Sequence, residues 1–248
     1  MIADKAQRRM QTTTDGPESR DLDSGETAAT LAGQVYRQIR RDIVTGVLVS
    51  GERLRMDDVR ARYGVGVSPI REALARLSTD TFVTSIENRG YRVAELSRND
   101  LDDITEARVT IERDALRRAI ELGDEQWEVD IVAAHYRLGK VDSRLREPLP
   151  ETFDEWEAAN RDFHDALVAA CPSRWLHRFR RLLQDQSRRY RHVSLLESAS
   201  YREVQREHDA LKEATLARAL PEALDLAEAH IRTTASLIRD NIPPSVDA

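Results

Sequence analysis

Cysteine is nearly absent from this 248-residue chain: a single one, Cys171. That excludes an internal disulfide and suits a reducing cytoplasm. Cys171 itself reads as a small buried apolar residue without assigned chemistry. No run of 18 apolar residues occurs, so no membrane span is expected. The N-terminus lacks the basic start and apolar block of a secretory signal. Nothing after residue 95 alternates apolar and polar as a strand does, and no internal repeat is visible. Net positive charge is lacking as well, the formal total being −6. Residues 1–28 contain almost no large apolar side chains, cannot bury enough surface to offset ordering entropy, and read as a disordered tail.

The acidic total hides a split. Residues 28–95 carry eleven Arg against eight Asp plus Glu, a net of +3, whereas residues 96–248 carry 23 basic and 30 acidic residues, a net of −7. Phosphates respond to the local face rather than to the total. A modestly basic head implies modest affinity per head and a strong salt dependence, which favours two heads acting together.

The stretch 63–77 is the most informative: Tyr-Gly-Val-Gly-Val-Ser-Pro-Ile-Arg-Glu-Ala-Leu-Ala-Arg-Leu. It reads as a glycine turn followed by a helix. Ser68 is a good N-cap and Pro69 fits the first helical position. Ile70, Leu74 and Leu77 make one buried stripe and leave Arg71 and Arg76 off it. Upstream, Leu31, Val35, Ile39 and Ile43 repeat every four residues over a helix of about residues 29–45, and a short helix follows at about 55–63. Downstream, residues 82–86 and 91–94 read as strands joined by a turn at Glu87-Asn88-Arg89-Gly90. Three helices and a hairpin over residues 29–95 make a winged helix-turn-helix. Its DNA contacts are expected at Ser68 and the neighbouring amides for phosphate, at Arg71 for a guanine edge or a phosphate, at Arg76, and at Arg89 and Gly90 of the wing tip for the minor groove.

These residues resemble a known family. Gly51-Glu52-Arg53-Leu54, the Ser-Pro-Ile-Arg-Glu-Ala-Leu run and Asn88-Arg89-Gly90-Tyr91-Arg92-Val93 look like the DNA-binding domain of GntR-type bacterial transcription regulators. The remainder is similar to the all-helical effector-binding domain, called FCD, of the FadR subfamily. Val67 stands where the family usually has a further arginine.

Residues 96–242 read as an antiparallel helical bundle that binds effector and dimerises, with helices at about 97–122, 125–146, 152–170, 173–194, 200–219 and 221–240. Ser97, Thr152 and Ser200 each open a capping box, and Pro221 suits a first turn. Polar residues fall on stripes that should be apolar. Arg108 is in phase with Leu101, Ile104, Ile111, Ala115 and Leu122. Asn160 is in phase with Phe153, Trp156, Phe163, Leu167 and Ala170. His208 is in phase with Tyr201, Val204, Leu211 and Thr215, and His230 is flanked by Ala223, Leu226, Thr233 and Leu237. Buried polar groups need partners, so the stripes imply a shared polar site between the helices. Asn160 and His164, at i and i+4, face one point. Three imidazoles and an oxygen donor suit Zn²⁺ or Ni²⁺ with positions left open.

The resemblance strengthens this reading. Metal-binding FCD domains have an Asp-x-x-x-His pair on this helix and two further His on the last two helices. Asn160 and His164, then His208 and His230, match that pattern, with Asn in place of Asp. Asp162 points elsewhere by helix phase. The resemblance also implies a small carboxylate effector held by the metal and by Arg108, whose alternative partner is Glu112 at i+4. Trp156 and Tyr201 read as core or pocket wall. The expected protein is a mainly α, cytoplasmic, homodimeric repressor of a palindromic operator. The alternatives are a metal-free regulator sensing a larger effector such as an acyl thioester, and a metal-dependent hydrolase.

Overall fold

The computed structural model of the chain describes residues 30–86, 90–142, 150–197 and 204–242. The predicted tail, the turn residues Glu87, Asn88 and Arg89, the capping site at Ser200, and Tyr201 lie outside them. The elements run α1 (Leu31–Val44), β1 (Arg53–Leu54), α2 (Met56–Tyr63), α3 (Val67–Thr79), β2 (Val83–Ile86) and β3 (Gly90–Val93). The helices α4 (Arg98–Leu122), α5 (Glu125–Asp142), α6 (Pro150–Val168), α7 (Arg174–Glu197), α8 (Gln205–Leu216) and α9 (Leu220–Asp240) follow.

The head forms as its apolar spacing dictates. Thr30 caps α1 by accepting from the Gly33 amide at 3.1 Å, and Val35, Ile39 and Ile43 turn inward. Ile70, Leu74 and Leu77 of α3 meet them, with Phe82 closing the core. The two-residue strand β1 was not foreseen. It pairs antiparallel with β3, placing Arg53 opposite Arg92, so the sheet order is β1-β3-β2. Two residues with one buried side chain carry too little alternation to register as a strand. Gly90 adopts φ +92, and a Cβ there would meet the Leu54 carbonyl oxygen at 3.4 Å.

Ser68 is not the N-cap of α3. Gly64 caps α2 in the left-handed conformation at φ 66, and only Gly64, Val65 and Gly66 separate the two helices; helical angles begin at Val67 with Gly66 as the cap. Ser68 therefore lies inside the first turn and is exposed. Pro69 remains among the positions whose N–H would be unsatisfied anyway. Thr152 likewise lies inside α6, which opens at Pro150.

In the bundle, Ser97 accepts from the Asp100 amide at 3.1 Å and starts α4 as predicted. Pro221 sits in the first turn of α9. Two stripes run differently from the expectation. On α4 the buried set includes Val109, Glu112, Leu116 and Ala119, and Leu122 is 60% exposed. On α9 it is Ala223, Ala227, Ile231 and Ile238, leaving Thr233 and Leu237 outside. α9 packs against α4, and its buried face lies about one residue, or roughly 100°, from the one expected. His230 is left at the edge of the buried face. No helix among the described residues is long and apolar enough to cross a membrane.

Candidate metal and effector site

Three imidazoles converge between α6, α8 and α9. His164, His208 and His230 each offer a ring nitrogen, and these atoms all lie within 4.8 Å of one another. The ring centroids are 5.3, 5.0 and 4.9 Å apart for the pairs 164–208, 164–230 and 208–230. His208 is only 1% exposed and stands edge-on to the Phe163 ring. The His230 Nδ1 is 2.7 Å from a Glu207 carboxylate oxygen. Such a carboxylate fixes the ring and leaves Nε2 as the coordinating atom. Burial, together with the charges of His230 and His208, holds His164 well below its ordinary titration range, so the neutral ring keeps one nitrogen lone pair available as a ligand.

Asn160 lines the same cavity as His164 and His230. It is buried, one turn before His164, and its Oδ1 has no hydrogen-bond partner among the described residues. An orphaned buried amide oxygen is costly, and beside three imidazoles a cation would satisfy it. The donor set of three nitrogens and one oxygen therefore fits Zn²⁺ or Ni²⁺.

Arg108 lies beside the imidazoles at a small cavity, partly open to solvent, which Asn160, His164 and His230 also line. Its predicted pairing with Glu112 is present but loose at 3.6 Å, and its Nε is buried with no hydrogen-bond partner. The reason is Arg180, on a helix to which the sequence reading gave no polar role. Arg180 donates to Glu112 at 2.6 Å, to the His164 carbonyl at 2.7 Å and to Asp165, and Gln184 donates to the other Glu112 oxygen at 3.3 Å. Glu112 is thus held from α7, which leaves the Arg108 guanidinium disposed toward the cavity. Removing Arg180 takes the shortest partner from a buried carboxylate and leaves Gln184 and the loose Arg108 contact, so Arg180→Ala is expected to lose stability, by up to about 3–5 kcal/mol, measurable by urea unfolding.

The head presents its own candidates. Arg71 is exposed on α3 and makes no hydrogen bond or ion pair among the described residues. Gly90 is exposed at the start of β3, and Arg89 lies outside the described residues. Arg76 behaves differently: its guanidinium lies 4.5 Å from the centre of the Tyr36 ring, turned onto α1 rather than outward. Five residues beyond Arg71 is about 140° around the helix, which places the two on different faces. Arg53, in β1, and Arg55, just after it, are also exposed; the sequence reading gave them no role, although Arg53 stood within a motif noted for its resemblance.

Family models match both halves of the chain: "Bacterial regulatory proteins, gntR family" over residues 31–93, and "FCD domain" over residues 103–233. The chain belongs to the GntR family of transcription regulators. Among its relatives, the HTH-type transcriptional regulator BphR of Paraburkholderia xenovorans is 37% identical over 84% of this chain and 85% of that protein. The HTH-type transcriptional repressor GlaR of Escherichia coli is 34% identical over 82% of this chain and 94% of that protein. Two solved structures share the fold at 20% identity and 86% coverage of this chain: E. coli McbR/YncC, at a TM-score of 0.71 over 98% of that chain, and a GntR regulator from Rhodococcus sp. RHA1, at 0.70 over 99%. The FCD domain places this GntR regulator with the FadR subfamily, and its relatives are DNA-binding regulators rather than enzymes.

Proposed function

We propose that this GntR regulator is a homodimeric repressor whose grip on a palindromic operator is set by a small carboxylate bound at a divalent metal in the FCD domain. The observation that carries the reading is the convergence of His164, His208 and His230 beside the orphaned Asn160 oxygen. Small rotamer shifts would bring the three nitrogens onto one Zn²⁺ or Ni²⁺. The metal would supply a Lewis-acidic anchor for a carboxylate oxygen. Arg108, with its free Nε and planar fork, suits the rest of that carboxylate.

Asn160 offers a neutral oxygen where the family pattern has a carboxylate, so affinity for the metal is lower than an Asp would give. Repression follows the name of GlaR. Dimerisation follows from the modest charge of one head and from the match between two-fold symmetry and half-sites. Effector control requires only that the carboxylate prefer one arrangement of the heads.

The test is operator affinity by fluorescence anisotropy, using a duplex selected in vitro with the wild-type protein. Metal-loaded and chelated protein are each titrated with acetate, lactate, malonate, succinate and citrate. A carboxylate that shifts operator affinity in the loaded protein and not in the chelated one supports the reading. A response to none of them, or an equal response after chelation, would overturn it in favour of a metal-free site for a larger effector.

A further inference from the structure

α7 borders two places at once: it lines the cavity and packs against α1 of the DNA-binding head. Its contacts with the head are specific. Leu182 packs against the head's apolar core. Gln186 donates to the Asp80 carbonyl at 2.8 Å and to the Thr81 hydroxyl at 3.1 Å, where Thr81 sits at an unfavourable φ of 61. Arg189 donates to the Ala94 carbonyl at 2.6 Å, at the exit from the wing.

Asp185 lies between these two roles. It lines the cavity together with Arg161, Arg188 and Arg191, all three of which bear electrostatically on its carboxylate. The same carboxylate accepts from the Arg40 guanidinium of α1. Arg40 in turn lies over the Phe82 ring, 5.5 Å from its centre, in the core of the head. Glu157, the other acid on this part of the wall, is neutralised within the bundle by Arg191 at 2.8 Å and Arg188 at 3.4 Å. Asp185 is thus the cavity acid whose counter-charge belongs to the head.

We infer that Asp185 is a positioning residue for operator binding: it transmits the charge within the cavity to Arg40 and so sets how the head is held against α7. The inference rests on the cavity being the effector site. Burial disfavours the Asp185 carboxylate and the nearby arginines offset this in part; an anion seated among Arg161, Arg188 and Arg191 competes for those charges and repels the carboxylate. The Asp185–Arg40 pair, already in contact, is thereby perturbed from the cavity side. The pose of the head then depends on occupancy, and the coupling is reciprocal, so operator binding alters anion affinity by the same factor.

The experiment needs no identified effector. Arg161 is exposed on α6, so Arg161→Glu introduces negative charge at the cavity wall with little cost to folding. Operator Kd is measured at fixed salt, on the in vitro-selected duplex, for wild type, Arg161→Glu, Asp185→Asn and the double variant. Arg161→Glu is expected to change Kd by about fivefold or more when Asp185 is present, and by less than about twofold in the Asp185→Asn background, the lower end of ordinary site-to-site coupling. Arg161→Gln should fall between wild type and Arg161→Glu, as a charge effect requires. Equal shifts in both backgrounds, or no shift in either, would overturn the inference. If thermal melts show Asp185→Asn to be unfolded, Arg40→Gln removes the same ion pair from the head's side and must abolish the response equally. Metal content and the carboxylate response of the wild type report on the cavity reading alone. A failed cycle beside an intact carboxylate response therefore rejects only the role of Asp185.

Discussion

Arg71→Ala is expected to weaken operator binding by about 1–3 kcal/mol per half-site, roughly 5- to 150-fold for each head. α3 is anchored by Ile70, Leu74 and Leu77, all fully buried, so its outward face is held rigidly. Arg71 stands on that face one turn from the helix start, without an internal partner among the described residues. A long cation so placed can reach the O6 and N7 of a guanine with both ends of its fork. The measurement is anisotropy on the selected operator and on duplexes carrying single base-pair changes. Loss concentrated at one base position identifies direct readout. Loss spread evenly over all sequences, with a salt slope lower by about 0.9, would reassign Arg71 to a phosphate. Arg76→Ala provides the contrast. Because Arg76 stacks on Tyr36, its removal should lower the stability of the head while leaving base preference unchanged.

The second large effect concerns the metal. The purified, untagged protein is expected to carry close to one Zn²⁺ or Ni²⁺ per chain by elemental mass spectrometry, and the His164→Ala/His208→Ala variant none. Losing a carboxylate that only orients a metal-bound ring costs about 10–100-fold in metal affinity. Glu207→Gln should therefore weaken binding to that degree through His230, and loss of two coordinating rings should cost far more. Metal at about 100 times its Kd stabilises the folded chain by about 2.7 kcal/mol. Chelation should accordingly lower the wild-type melting temperature and leave that of the double variant unmoved. Asn160→Asp, which restores the charged oxygen of the family pattern, should tighten binding. Absence of metal from the wild type, even after incubation with either ion, would mean that Asn160 marks a site that no longer binds.

Much of the candidate site was legible because helical periodicity reports on burial. Asn160 fell in phase with Trp156, Phe163 and Leu167, and His208 with Leu211, and all of these pack into the bundle; His164 followed as the residue one turn after Asn160. His230 was identified although the stripe assigned to α9 was one residue out of phase. The imidazole stands near the edge of the buried face, where either choice keeps it in reach. Arg180 was not legible. On α7 it is one of many arginines, and nothing local separates the one that enters the interior from those that stay in water. What separates them is the position of Glu112 and Asp165 on two other helices.

The chain's own spacing determined its helices, the turn into α3, the wing strands and the residue types available for a metal. Each of these is a matter of capping, backbone preference or a period within one segment, set by neighbours a few residues away. The tertiary structure alone decided that Arg76 turns onto Tyr36 while Arg71 faces outward, and that α7 fixes Glu112 and leaves Arg108 to the cavity. It also decided that Asp185 reaches 145 residues back along the chain to Arg40. Those outcomes depend on which charges meet across helices distant in sequence. A buried charge is stabilised by whichever partner packing brings to it, and that partner has no fixed place in the order of residues.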